Sequence, residues 1–299
     1  MKELAKIAAY FFATILIGAL LAPALFWLVH VVGDSTGIAL LQEATFQKVF
    51  NRALLITAIA LLWPVAKWLR VGSWRDLGLD PDPLWRRHLL VGFGIAAIVV
   101  AAMALAYISS EVYRWKRDAL RWGALPKVAL SASAVAFLEE ALFRGAILGL
   151  FRRSMRAMPA LFWTSAIFSI LHFLKPDESV ELAQIGWLSG FTLIPHLFHQ
   201  FAQPLLLLGG FTTIFVLGWI LGFATIRTRS LWMAIGFHAG VVFVKMGFSK
   251  FSKRREEYLP WIGEELQIGL VPVFCLTAAG LLVWAWLHYV DRSPSSPRS

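Results

Sequence analysis

Residues 7–32 read IAAYFFATILIGALLAPALFWLVHVV, a run with no acidic, lysine or arginine side chain. A helix rises about 1.5 Å per residue, so about 20 apolar residues cross a hydrocarbon layer of about 30 Å. This run is longer than that, and longer than the apolar core of a signal peptide, so it reads as a retained first span. Seven more segments qualify: Ala53–Leu69, Leu89–Ile108, Val128–Phe151, Met158–Leu174, Leu205–Ile226, Leu231–Phe248 and Ile268–Tyr289. The sequence therefore predicts an all-α, polytopic membrane helix bundle of about eight transmembrane helices. Three parts are expected: residues 1–127 with N-terminal helices and an interfacial segment, a core over 128–248, and a last helix and tail over 249–299.

Composition supports the same class. The chain of 299 residues is 59% hydrophobic and only 15% charged, with a mean hydropathy of +0.68. A soluble domain needs more charge to coat its surface, so the excess apolar side chains face lipid. The net charge of +10 comes from short basic clusters between apolar runs, which fits anionic headgroups and not nucleic acid. Cys275 is the sole cysteine, which excludes an intrachain disulfide and a thiolate metal cluster.

The basic loops Lys67–Arg87 and Arg152–Arg156 point to the cytoplasmic side, together with both termini. Arg114–Lys127 and Lys250–Arg255 fall on the opposite side. Glu111–Trp122 alternates charges with aromatics and is expected to lie along the interface as an amphipathic helix. Pro176–Pro204 is mixed in character and reads as interfacial or re-entrant. The tail Ser293–Ser299 is of low complexity and is expected to be disordered.

Ionisable groups inside the spans carry the functional signal. The fourth span holds Glu139, Glu140 and Arg144, the fifth ends on His172, and the seventh holds His238 and Lys245. Each such group costs roughly 2.5–3.5 kcal/mol at the bilayer centre, while an apolar neighbour returns about 0.3–0.6. Charges gathered on three spans imply one shared, wet site. Glu140 and Arg144 stand four apart, stack on one helix face and can neutralise each other. Glu139 lies about 100° around the helix, outside that pairing, and suits a general base.

The run Glu139-Glu140-Ala141-Leu142-Phe143-Arg144 matches the EExxxR signature of the CAAX-processing and bacteriocin-processing (CPBP) family of intramembrane proteases, glutamic type. Phe168-Ser169-Ile170-Leu171-His172 resembles its FxxxH motif, and the segment around His238 resembles its third. The resemblance covers roughly Val128 to Phe248. It implies an intramembrane endopeptidase in which Glu139 activates water with help from His172, while His238 and an Asn one turn later stabilise the oxyanion. Here Val242 occupies the Asn position, and the only Asn of the chain is Asn51. Losing one oxyanion donor typically costs about 10²–10³ in rate. Lys245, seven residues after His238 and on the same face, is the candidate substitute.

The expected catalytic residues are thus Glu139, His172 and His238. Glu140, Arg144 and Phe168 support them, the first two as a structural ion pair and Phe168, like Phe143, by packing. No cofactor is expected, since HExxH is absent. The alternative is zinc on His172, His238 and Glu139, a His₂Glu set. His196 and His199 read as interfacial polar residues. The expected partners are membrane lipids and a membrane-anchored, lipidated or tail-anchored protein substrate, with no nucleic acid. The expected setting is a bacterial cytoplasmic membrane. Two rivals remain: a catalytically inactive relative acting as a membrane-embedded binding or immunity protein, and a transporter, which predicts charges on repeated halves that this sequence lacks.

Overall fold

The structure is a computed structural model and describes residues 2–68, 71–77, 79–116, 122–177, 179–180, 182–255, 258–263 and 265–290. The α-helices in chain order are α1 (Lys2–Thr36), α2 (Ala39–Gln42), α3 (Phe46–Trp68), α4 (Trp85–Ser109), α5 (Leu125–Glu140), α6 (Leu148–Ser154), α7 (Ala157–Phe173), α8 (Ser189–Leu193), α9 (Pro204–Thr228), α10 (Trp232–Phe251) and α11 (Leu270–Ala285). A π-helical segment, Ala141–Ile147, joins α5 to α6. The all-α polytopic bundle is borne out. Six helices are long and apolar enough to cross a membrane: Ala5–Thr36, Phe46–Trp68, Trp85–Ser109, Pro204–Thr228, Trp232–Phe251 and Leu270–Tyr289. Two expected spans fall outside that count. Val128–Phe151 is interrupted by the π segment and its charges, and α7 is short.

The chain divides into two compact units. One comprises Met1–Gly72 and Leu171–Gln203, the other Ser73–Ile170 and Pro204–Ser299. In the first, α1 packs against α3 and α8 around Ala19, Ala22, Phe50, Leu193 and Leu197. A Cβ on Gly190 would overlap the Ala19 carbonyl, so α8 approaches α1 backbone to backbone. The segment Pro176–Pro204, expected to be interfacial, thus contributes buried residues to this core through α8 and the 3₁₀ turn Pro195–Ala202.

In the second unit α10 is the central helix, packing on α4, α5 and α9. Small residues set these approaches. On α10, Gly236 and Gly240 face α4, where Gly92 and Ala96 answer them: a Cβ on Gly236 would overlap the Leu89 carbonyl, and one on Gly240 would lie 2.7 Å from the Phe93 carbonyl. On α9, Gly218 and Gly222 receive Ser165, Phe168 and Leu161 of α7. Both pairs are GxxxG steps, which let membrane helices approach closely enough to gain dispersion contacts that lipid cannot supply.

Residues 111–116 do not form the expected amphipathic helix. Residues 117–121 lie outside the described ones, and Tyr113–Trp115 forms β1, antiparallel to β2 (Ser252–Arg254). Val112 and Tyr113 are strand formers and bury their side chains, while Arg255, distant in sequence, reaches Glu111 at 2.7 Å. Lys116 donates to the Ser249 carbonyl at 2.8 Å and the Lys250 carbonyl at 3.2 Å, satisfying the C-terminus of α10. The expected disordered tail, Ser293–Ser299, lies outside the described residues.

These approaches generate a prediction. Gly236→Ala forces a methyl into the α4 backbone and should destabilise the fold by about 1–3 kcal/mol. Gly94→Ala meets nothing within 4 Å and should be neutral or slightly stabilising. Thermal unfolding of both variants in detergent checks the contrast.

Candidate active site

The two adjacent glutamates end α5 and enter very different surroundings. Glu140 is fully buried, whereas the Glu139 side chain keeps 28% of its surface exposed. Immediately after them the chain widens into the π segment, a departure from α geometry often found at functional sites.

Glu140 Oε1 accepts two hydrogen bonds. One comes from Arg144 Nη1 at 2.8 Å, the i,i+4 pair expected from spacing. The other comes from His238 Nδ1 on α10 at 2.7 Å. A carboxylate only accepts, so Nδ1 carries the proton, and the tautomer of His238 is fixed by its partner. His238 is itself buried, and its other nitrogen, Nε2, stands 3.8 Å from Glu139 Oε2. The imidazole is therefore threaded between the two carboxylates, anchored to one and turned toward the other.

Arg144 is held as firmly. Its guanidinium lies over the Phe168 ring at 4.1 Å, a cation–π contact from α7. Its Nη2 donates to the Gly218 carbonyl on α9 at 3.3 Å. Phe168 also meets the edge of Phe143 at 4.9 Å and stands 6.0 Å from the His238 ring. More than packing is involved here: Phe168 supplies a π face to a buried cation.

The structure thus brings together Glu139, Glu140, Arg144, Phe168 and His238. His172 lies on the last turn of α7, in the segment assigned to the other compact unit. Lys245 is directed elsewhere. Its ammonium pairs with Glu265 at 2.7 Å, because it sits two turns beyond His238, near the end of α10 that leads into β2. Val242 follows His238 by one turn and offers no hydrogen-bonding group. Among the described residues no group of three or more His, Cys, Asp or Glu side chains is placed to hold a metal ion. His238 engages Glu140 through Nδ1, which leaves Nε2 directed toward Glu139 and able to meet a water or a metal ion. Sequence reasoning missed the bond from His238 to Glu140. The spacing to Arg144 reveals one partner of the carboxylate, but nothing in a linear motif reveals the second.

Removing one member of a buried ion pair leaves an uncompensated charge, at a cost of about 3–5 kcal/mol. Arg144→Met should destabilise the fold by that amount. The double variant Arg144→Met, Glu140→Gln should recover much of it. A double-mutant cycle of unfolding free energies in detergent measures the coupling.

In comparison with known families, residues 121–244 match the family described as type II CAAX prenyl endopeptidase, Rce1-like. No curated protein and no solved structure matches the chain. The matched stretch contains both glutamates, Arg144, Phe168, His172 and His238. Residues 121–244 of this multi-pass membrane protein are therefore similar to the Rce1-like family of CAAX endopeptidases, in agreement with the resemblance carried by their motifs.

Proposed function

We propose that the protein is an intramembrane endopeptidase that hydrolyses a peptide bond near the membrane-associated end of a protein substrate, with Glu139 activating water. The observation that carries this reading is the division of labour between the glutamates. Glu140 is fully buried and locked by two hydrogen bonds, and Glu139, with 28% of its side chain exposed, stands beside an oriented imidazole.

Charge balance suggests the protonation pattern. Two carboxylates and one guanidinium leave one negative charge in a low-dielectric site, and one additional proton, held on His238 Nε2, neutralises it. Glu139 then takes a proton from water as the oxygen attacks the scissile carbonyl carbon. His238 Nε2–H donates to the developing oxyanion, and the proton on Glu139 passes to the leaving amine as the C–N bond breaks. Glu140 acts through His238, fixing its orientation, and Arg144 pairs with Glu140. His172 is assigned a part in positioning the water from its place in the FxxxH motif. Substrates compatible with this reading are lipid-modified C-termini, leader peptides and sorting tails that end in a membrane segment and basic residues.

Val242 supports a second reading, in which the chain binds such a substrate without cutting it. One oxyanion donor is absent where the motif places an Asn, and Lys245 is committed to Glu265.

Hydrolysis of a prenylated fluorogenic peptide by protein in liposomes separates the two readings. Glu139→Gln should lower kcat by about 10²–10⁴, the range of general-base catalysis, with an unchanged melting temperature. Val242→Asn should raise kcat by at least about tenfold, because a single oxyanion donor is worth about 10²–10³ where it is well placed. Binding of the peptide with no turnover in either the parent or Val242→Asn would establish the binding reading.

A further inference from the structure

The end of the second unit where α10 begins carries two neighbouring cavities of opposite character. One, of about 380 Å³, is polar and lined by Arg75, Asp76, Asp80, Arg152, Arg153 and Arg229. The other, of about 500 Å³, is mainly apolar, and its walls include Trp74, Phe137, Ala141, Leu231, Trp232 and Ile235. Arg75 and Asp80 border both.

The polar cavity is built by the fold. The 3₁₀ turn Trp74–Leu77 sits directly on α6 because Gly149 has no side chain; a Cβ there would stand 2.9 Å from the Leu77 carbonyl. Arg153 is tied down by a bond from Nε to the Asp76 carbonyl at 2.9 Å. Arg229 adopts a positive φ of 51°, which turns its carbonyl onto the Asp80 amide at 2.8 Å and leaves its guanidinium 3.7 Å from the Asp80 carboxylate. Arg75 and Arg152 have no hydrogen-bonding or ionic partner among the described residues. Four guanidiniums face two carboxylates, an excess of positive charge held around a cavity with two of its donors uncommitted.

Depth along the helices orders the two cavities. Phe137 and Ala141 precede Gly149 and Arg152 along the same helical run, so the apolar cavity lies deeper in the bundle and the polar one nearer its end. Tryptophans mark the level between them. Trp74 and Trp232 line the apolar cavity, Trp85 meets Trp232 at 5.1 Å, and Arg86 covers Trp85 at 5.1 Å. Trp collects where hydrocarbon gives way to headgroups. An apolar slot below that level and an arginine cage above it match the two halves of one molecule.

We propose that these paired cavities bind an anionic phospholipid, with its phosphate on Arg75, Arg152, Arg153 and Arg229 and an acyl chain in the apolar cleft. Guanidinium forks suit phosphate oxygens, and the cleft supplies what a free anion would not use. None of its arginines takes part in the glutamate–histidine network.

Binding is read from the melting temperature and apparent affinity of the full chain in detergent, titrated with dioleoylphosphatidylglycerol, dioleoylphosphatidylcholine or inorganic phosphate. Saturable stabilisation is expected from phosphatidylglycerol alone. At roughly 1 kcal/mol per basic residue, Arg75→Gln with Arg152→Gln should weaken the apparent affinity by roughly thirtyfold. Both side chains are exposed, so the lipid-free melting temperature of this double variant reports whether it folds normally. Lys253→Gln, at the opposite end of α10, should leave the response unchanged. Equal stabilisation by phosphatidylcholine, full reproduction by phosphate, an unaltered response of the double arginine variant, or an equal loss in Lys253→Gln would each overturn the proposal.

Discussion

Glu140 has no exposed surface, and its carboxylate accepts hydrogen bonds from a guanidinium on its own helical run and an imidazole on α10. A charge in that position is tolerable only while both donors stay in place, because an unpaired buried ion costs several kcal/mol. The same cation is faced by Phe168 of α7 and bonded to the Gly218 carbonyl of α9. Four helices are thereby referenced to one carboxylate. A shift of any of them loosens the imidazole that faces Glu139, so the stability of the bundle and the geometry of the candidate site rest on the same contacts.

That convergence requires backbones to come closer than large side chains allow. The glycine pairs on α9 and α10 serve this end. Gly218 both admits α7 and offers its carbonyl to Arg144, and Gly236 and Gly240 flank His238 by two residues on either side while seating α10 on α4. His238 is thus carried by a helix whose opposite face is keyed into another backbone. Positional precision of an imidazole in a helix core follows from that, since rotation of α10 about its axis would drive Cα atoms into α4.

Much of this was legible in the sequence, and the physical reasons divide the cases. Long apolar runs report directly on spans, because bilayer thickness sets their length. The i,i+4 spacing of Glu140 and Arg144 reports directly on their pairing, because helix geometry fixes it. Glu139 was separable from that pair on the same grounds. What did not show was anything dependent on tertiary approach. His238 bonds Glu140 across 98 residues of sequence. Phe168 looked like packing because a cation–π contact has no local signature. The reading of residues 111–116 as part of an amphipathic helix failed because alternating charges and aromatics fit a strand as well. β1 exists through its partner Ser252–Arg254, which lies far along the chain. Lys245 satisfied the helical periodicity expected of an oxyanion donor, yet Glu265, supplied by the loop before α11, claims it.

The same distinction between counting and pairing explains the positive charge of the chain. A tally of lysines and arginines by loop places them on both sides of the membrane, which blurs the orientation signal. Their partners are different in kind at the two ends of α10. At its C-terminal end Lys116 caps backbone carbonyls, Arg255 meets Glu111 and Lys245 meets Glu265, so much of that charge is consumed by the protein itself. At its N-terminal end Arg75 and Arg152 have no partner among the described residues and line a cavity whose neighbour is walled by Trp74 and Trp232. Charge spent on the fold and charge left for the membrane are physically distinct quantities, and only the second is available to anionic headgroups. Of the two basic ends of this helix, the arginine-lined one is therefore the one built to hold lipid.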